Sequence, residues 1–118
     1  MPPTADPSSL LPLGPSAFYT LLAMAEGERH GYAISKEVEA MTGGTVRLTP
    51  TALYRYLKQM VIDGWIVETD RGEADGGRRR YYRLTPWGRQ IAQAEAARLE
   101  DAVRTAHARN LLPIRSAP

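Results

Sequence analysis

Residues 75–89 read DGGRRRYYRLTPWGR, and five of these positions are arginine: Arg78, Arg79, Arg80, Arg83 and Arg89. No acid interrupts them from Gly76 to Arg89. A second acid-free run, Thr45 to Met60, carries Arg47, Arg55 and Lys58. Many of the carboxylates gather elsewhere, in Glu26–Glu39 and Glu95–Asp101. A guanidinium is a permanent cation whose fork of donors matches the geometry of a phosphate. These stretches are therefore equipped to hold an anion rather than to make or break bonds. Net charge is only +2, so it is where the charge lies, and not its total, that points to an anionic partner. The bland alternative for the triplet Arg78–Arg80 is a solvated run at a loop edge, paired with Glu73 and Asp75.

Catalytic chemistry finds no such set of residues. The two histidines, His30 and His107, fall in different elements, and the chain has no cysteine. The glycine pairs at 43–44 and 76–77 read as turns, not as a phosphate-cradling loop. Without a nucleophile, a base and an oxyanion donor that can be named together, no catalytic residue is expected. No metal site and no cofactor are expected either. The absence of cysteine rules out a disulfide framework and a thiolate zinc site, and it fits a reducing compartment. There is no apolar run of membrane-spanning length and no basic start followed by an apolar block at the N-terminus. A cytoplasmic protein with no membrane partner is the expectation.

The elements that must position these cations follow from periodicity and punctuation. At 118 residues the chain is one domain with a small core, so pairing with a copy of itself would bury much more surface. Residues 1–15 hold five of the nine prolines and read as a disordered arm. Ser16 is a fair cap for a first helix, with Phe18, Tyr19, Leu21, Leu22 and Ala25 at helical spacing and Gly27 as its stop. Gly31–Met41 reads as a second helix, ended by Gly43-Gly44. Thr45–Leu48 alternates and is β-branched, as a short strand would be. Thr49-Pro50 is a capped start for a third helix running to Asp63, with Leu53, Leu57, Met60 and Val61 as its core stripe. Trp65–Asp70 and Arg78–Leu84 read as the two strands of a hairpin around a polar loop. Thr85-Pro86 repeats the capping device and opens a fourth helix that reaches roughly Asn110.

In this order the elements make a mainly α fold with a small β-hairpin: a winged helix-turn-helix followed by a long C-terminal helix. Such a fold suits duplex DNA, because the major groove admits one α-helix and the wing reaches the flanking backbone. On the third helix Thr49, Thr51, Tyr54, Arg55 and Lys58 are the candidate DNA-facing residues. Tyr32, Lys36 and Arg47 are candidate backbone contacts, and Arg78, Arg79 and Arg80 are those of the wing. Thr49 has a plain second role as a cap, and Tyr32 and Tyr54 have one as packing residues. His30 reads as a cap or packing residue. Ala92, Ala96, Leu99, Val103, Ala106 and Asn110 form a heptad-like seam of mostly small residues on a helix longer than so small a domain can cover. That makes residues 86–112 a dimerisation helix, the bland alternative being a seam that packs only on the first helix of its own chain. Residues 16–85 are then the DNA-binding domain and 113–118 a tail. A winged fold that binds protein rather than DNA is the alternative from another class.

The stretches LLAMAEGERHGYAISKEVEAMTGG (Leu21–Gly44), VRLTPTALYRYLKQMVIDGWI (Val46–Ile66) and GGRRRYYRLTPWGR (Gly76–Arg89) cover about half the chain. In this order and spacing they resemble the PadR family of bacterial transcriptional regulators. The resemblance implies a homodimer whose first and fourth helices form the interface, which places Phe18 and Leu22 there beside the seam. It implies binding to palindromic operator DNA, usually as a repressor, in the family's compact branch with one C-terminal helix. It also admits a small aromatic ligand, for which Phe18, Tyr19 and Trp87 are the candidate lining. Trp87 departs from the family's pattern, where a small residue is more usual.

Overall fold

The computed structural model describes residues 6–70 and 80–113. Four helices and three short strands follow one another: α1 (Pro15–Ala23), β1 (Arg29–His30), α2 (Gly31–Met41), α3 (Pro50–Ile62), β2 (Ile66–Asp70), β3 (Arg80–Leu84) and α4 (Pro86–Ala108). The strands form one antiparallel sheet in the order β1-β3-β2. Glu68 lies opposite Tyr82 in the β2–β3 ladder, and His30 lies opposite Tyr81 in the β1–β3 ladder. This is a winged helix-turn-helix with a long C-terminal helix.

Local chemistry sets the helix ends. Thr49 and Thr85 each accept a backbone N–H three residues ahead, from Ala52 and Gly88, with proline in the first turn of both helices. His30 does the same for α2 through Nδ1 and the Ala33 N–H. Gly43, Gly64 and Asn110 end α2, α3 and α4 in the left-handed region. In each case the next residue's N–H reaches back five positions, Gly44 to Glu39, Trp65 to Met60 and Leu111 to Ala106, so otherwise orphaned carbonyls are satisfied.

Leu21, Met24, Ile34, Val38, Leu53, Leu57, Met60, Ile66, Tyr82 and Ile91 form the core where α1, α2, α3, α4 and the sheet converge. Val61, expected in the stripe of α3, is instead 38% exposed, because the core contact falls on Leu53, Leu57 and Met60 and turns the next position outward. The expected strand at Thr45–Leu48 is irregular chain. The Val46 N–H bonds the Thr42 hydroxyl while Val46 and Leu48 pack against the core, and the third strand is Arg29–His30. The first helix begins at Pro15 behind Gly14 and ends at Ala23, earlier at both ends than its sequence suggests. Ser16 lies inside it, its carbonyl accepting the Thr20 hydroxyl.

Where a loose arm is expected, residues from Asp6 onward are folded. Pro7–Leu10 make a 3₁₀ turn capped by Asp6, and Leu13 packs against the core. The Leu13 N–H donates to Glu95 on α4 at 3.3 Å. Glu95 is 2% exposed and takes two hydrogen bonds from Arg98, at 2.8 and 2.6 Å. Bonding from Arg98 holds its carboxyl below the ordinary value of 4.5, against the opposing effect of burial.

At the other end of the domain, α4 starts in tight contact with the turn between α3 and β2. The Thr85 hydroxyl donates to the Gly64 and Trp65 carbonyls at 2.6 and 3.0 Å. A Cβ on Gly88 would lie 1.9 Å from the Trp65 carbonyl oxygen, closer than any non-bonded pair can come.

Gly88→Ala should therefore lower unfolding stability by about 3 kcal/mol or more through backbone displacement. Gly31→Ala, whose Cβ would meet only ordinary contacts with Leu53 and Leu57, should be tolerated. Equal denaturant midpoints for the two variants would refute the close-approach argument. Glu95 has a depressed folded-state pKa, so its contribution is present above the ordinary carboxyl value and is lost as pH falls through the lower folded value. Glu95→Gln should be less stable than the parent at neutral pH, by about 1.5–3 kcal/mol. The two stability curves should converge in acid, and a constant gap across pH would count against this role.

Candidate nucleic-acid interface

The centre of the candidate interface is the outward side of α3. Its core stripe fixes the opposite face, so Thr51, Tyr54, Arg55 and Lys58 are exposed. No carboxylate lies on α3 itself, and among the described residues Arg55 and Lys58 make no ion pair. Thr49 is exposed too, but its hydroxyl caps the helix, so its position at the head of α3 has a structural cause. On α2, Tyr32 is 68% exposed and Lys36 Nζ sits 5.6 Å from its ring centroid, a cation–π distance.

Between α2, α3 and β3 runs an open groove of about 580 Å³. Tyr32, Lys36, Tyr54 and Arg80 stand around it, over a floor that includes Leu53 and Leu57. The fold thus brings together four of the expected residues from three separate elements. A smaller hollow of about 140 Å³ adjoins, lined by Tyr54, Lys58, Ile62, Glu68 and Arg80 among others. Arg47 lies on the α2–α3 connection, outside both. Arg78 and Arg79 lie outside the described residues.

Among the described residues, two acids enter this basic face from elsewhere in the chain. Glu68 of β2 pairs with Arg80, Oε2 to Nε, at 3.2 Å. Glu39 of α2 approaches Arg47 at 3.9 Å. Neither was legible in the linear charge pattern, which is acid-free around both arginines. The Tyr82 phenol, beside this pair, is pushed above its ordinary 10.0 by burial first and by the Glu68 charge second. Alternation along β3 puts Arg80 and Tyr82 on one sheet face and Tyr81 and Arg83 on the other. Arg89, the last cation of the basic run, donates to the Ala25 carbonyl at 2.9 Å and so ties α4 to the end of α1.

The residues expected at a dimer interface divide. Phe18 and Ala92 are buried within their own chain, Leu22 and Ala106 are half-buried, and Ala96, Leu99 and Val103 are exposed. Asn110 is not part of the helical seam, because it forms the left-handed cap beyond α4. Of the candidate ligand residues, Phe18 and Tyr19 pack ring to ring at 5.8 Å. Trp87 is half-buried, and its indole N–H is buried with no acceptor among the described residues. None of the three lines the large groove. No group of three His, Asp or Glu able to hold a metal ion occurs among the described residues. No described helix is long and apolar enough to cross a membrane.

The sequence profile of the transcriptional regulator PadR-like family matches residues 20–94, from α1 through the first part of α4. The chain belongs to the PadR-like family of transcriptional regulators. A transcriptional regulator of Mycobacterium tuberculosis is 34% identical over 80 residues, 68% of this chain and 71% of that protein. An uncharacterised 37.1 kDa protein in a transposon of Streptomyces fradiae is 37% identical over 76 residues, 64% of this chain. This chain spans only 20% of that relative's length. Among solved structures, a PadR family regulator from Clostridium difficile superposes with a TM-score of 0.69 at 21% identity, covering 80% of this chain and 96% of that one. Bacillus subtilis PadR, solved in complex with operator DNA, superposes with a TM-score of 0.59 at 21% identity, covering 92% of this chain and 50% of that one. The PadR family consists of transcriptional regulators, not enzymes, and its winged-helix fold is the one described above.

Proposed function

We propose that this PadR-like chain is a cytoplasmic, sequence-specific DNA-binding regulator that acts as a homodimeric repressor. The observation that carries the reading is the acid-free, exposed face of α3, with Thr51, Arg55 and Lys58 free to enter a groove. The N-terminal half of such a helix reaches base edges, where an arginine can pair bidentately with guanine. Lys58, further along, holds a phosphate, as do Tyr32, Lys36, Arg47 and the wing arginines Arg78, Arg79 and Arg80. Phosphate contacts set register and affinity without reading sequence. Thr49 contributes through the helix cap, and Tyr54 stands between helix and wing.

The homodimer reading is supported by Leu99 and Val103, which are 38% and 45% exposed on the outer half of α4. With Phe18, Leu22, Ala92, Ala96 and Ala106 they continue a seam that one chain leaves partly uncovered. A small aromatic ligand between Phe18, Tyr19 and Trp87 is supported by the Trp87 indole N–H, buried with no acceptor among the described residues, because a buried donor gains from an acceptor. The alternative, a protein-binding adaptor, would use the α4 seam and leave α3 idle.

Fluorescence anisotropy with the DNA upstream of the chain's own gene, beside a scrambled duplex at two salt concentrations, tests the DNA reading. Preference for the first that survives the higher salt is expected. Equal binding that salt abolishes would leave only a basic surface. Arg55→Ala should erase the preference, at a cost of about 1–3 kcal/mol on the cognate duplex. Lys58→Ala should weaken both duplexes alike and lower the salt slope by about one. Wild-type behaviour of Arg55→Ala on both duplexes would remove α3 from the reading. Sedimentation reads the dimer and tryptophan fluorescence across planar aromatics reads the ligand; a monomer mass or an unchanged emission removes that part.

A further inference from the structure

Five described cations stand on the proposed DNA face: Lys36, Arg47, Arg55, Lys58 and Arg80. Two of them already hold a carboxylate, Arg80 through Glu68 at 3.2 Å and Arg47 through Glu39 at 3.9 Å. The Glu68 pair is built into the wing. Glu68 lies opposite Tyr82 in the ladder, and Arg80 is two residues before Tyr82, so the two side chains meet diagonally on one sheet face. That face looks toward α3, for Glu68 and Arg80 share their hollow with Tyr54 and Lys58. Any phosphate that reaches Arg80 from the DNA side therefore comes close to the Glu68 carboxylate as well.

Stability does not account for the pair. The two side chains are 67% and 39% exposed, and exposed ion pairs contribute little to folding because water and salt screen them. What the pair does change is the field that an incoming polyanion meets. We infer that Glu68 is a determinant of DNA affinity that acts as an electrostatic brake: it occupies Arg80 in the free protein and repels the phosphate that competes for it. This rests on the DNA-binding reading above. A like charge roughly 6 Å from the phosphate, in a largely solvated setting, weakens binding on the order of three- to tenfold. Because phosphate contact carries no sequence information, the penalty falls on every duplex. It keeps the protein from lodging on bulk DNA through charge alone. Glu39 bears on Arg47 in the same sense, more weakly at its longer distance.

The test uses the full chain and a mixed-sequence duplex, with anisotropy measured across a salt series. Glu68→Gln keeps the side chain's size and should tighten binding on the order of three- to tenfold. Its salt slope should steepen by up to about 0.9, as an Arg80 released from Glu68 engages one more phosphate. In an Arg80→Ala background the same substitution should gain clearly less, because only the direct repulsion between Glu68 and phosphate is then relieved. Glu100→Gln, an exposed acid of α4 paired with Arg104, makes the same change in net charge away from the face and should have little effect. Unfolding midpoints for Glu68→Gln should match the parent. If Glu68→Gln binds as the parent does, or more weakly, the brake is overturned, and weaker binding would mean that Glu68 positions Arg80 productively. An equal gain in Glu100→Gln overturns it too, since net charge would then explain the effect. A parent protein that binds no duplex at any salt overturns the DNA reading and this inference together, whereas a parent that binds while Glu68→Gln is unchanged overturns this inference alone.

Discussion

The start of α4 against the α3–β2 turn is the constraint on which the geometry depends. One hydroxyl, that of Thr85, caps α4 and holds the Gly64 and Trp65 carbonyls at the same time. Gly88 lets the helix come against the Trp65 backbone. Gly64 in turn supplies the left-handed conformation that ends α3. Helix α3, the base of the wing and the long helix are thereby joined within a few residues at one point. Such a junction fixes the angle between the α3 face and the wing, and it fixes the direction in which α4 leaves the domain. A side chain at position 88 would separate these elements by more than packing can absorb.

Around that junction the core does simple work. Leu53, Leu57 and Met60 bury one stripe of α3 against α2 and the sheet, and the opposite stripe must then be wet. The polar and basic character of the wet stripe is what distinguishes it from an ordinary helix surface. Arg89 shows that charge alone does not make a binding residue, for its guanidinium serves the Ala25 carbonyl. At the far side of the molecule the buried Glu95 carboxylate joins the N-terminal segment to α4 through Leu13 and Arg98. A proline-rich stretch is thus tied to α4 partly through a charged group, because a buried carboxylate needs donors and the nearby backbone supplies one, while Leu13 packs on the core.

The electrostatics of the α3 face and its flanks are a balance rather than a uniform positive surface. Arg55 and Lys58 stand without counter-charges among the described residues, while Arg47 and Arg80 have theirs in Glu39 and Glu68. The unpaired cations sit on α3 and the paired ones on its flanks. Under the proposed function, sequence preference belongs to the helix and general affinity to the flanks. A face arranged in this way keeps the first while moderating the second.

The sequence by itself determined the order and nature of most elements and the family. Thr49-Pro50 and Thr85-Pro86 announce two helix starts because a hydroxyl cap and a fixed proline φ act within a few residues. The spacing of Leu53, Leu57 and Met60 shows which side of α3 is buried, and so which residues are wet. Those signals are local, and local signals survive in one dimension. The third strand did not: Thr45–Leu48 has β propensity, yet Arg29–His30 takes the edge of β3, because strand pairing depends on which segment the fold brings alongside. The ordered segment before α1 was equally hidden, since its hydrogen-bond acceptor lies on Glu95, far along the chain. Above all, the linear charge pattern showed two acid-free runs, whereas the folded face has Glu39 and Glu68 set into it. Coulomb's law acts through space and not along the chain, so only the tertiary structure could decide which of the basic residues carry an uncompensated charge.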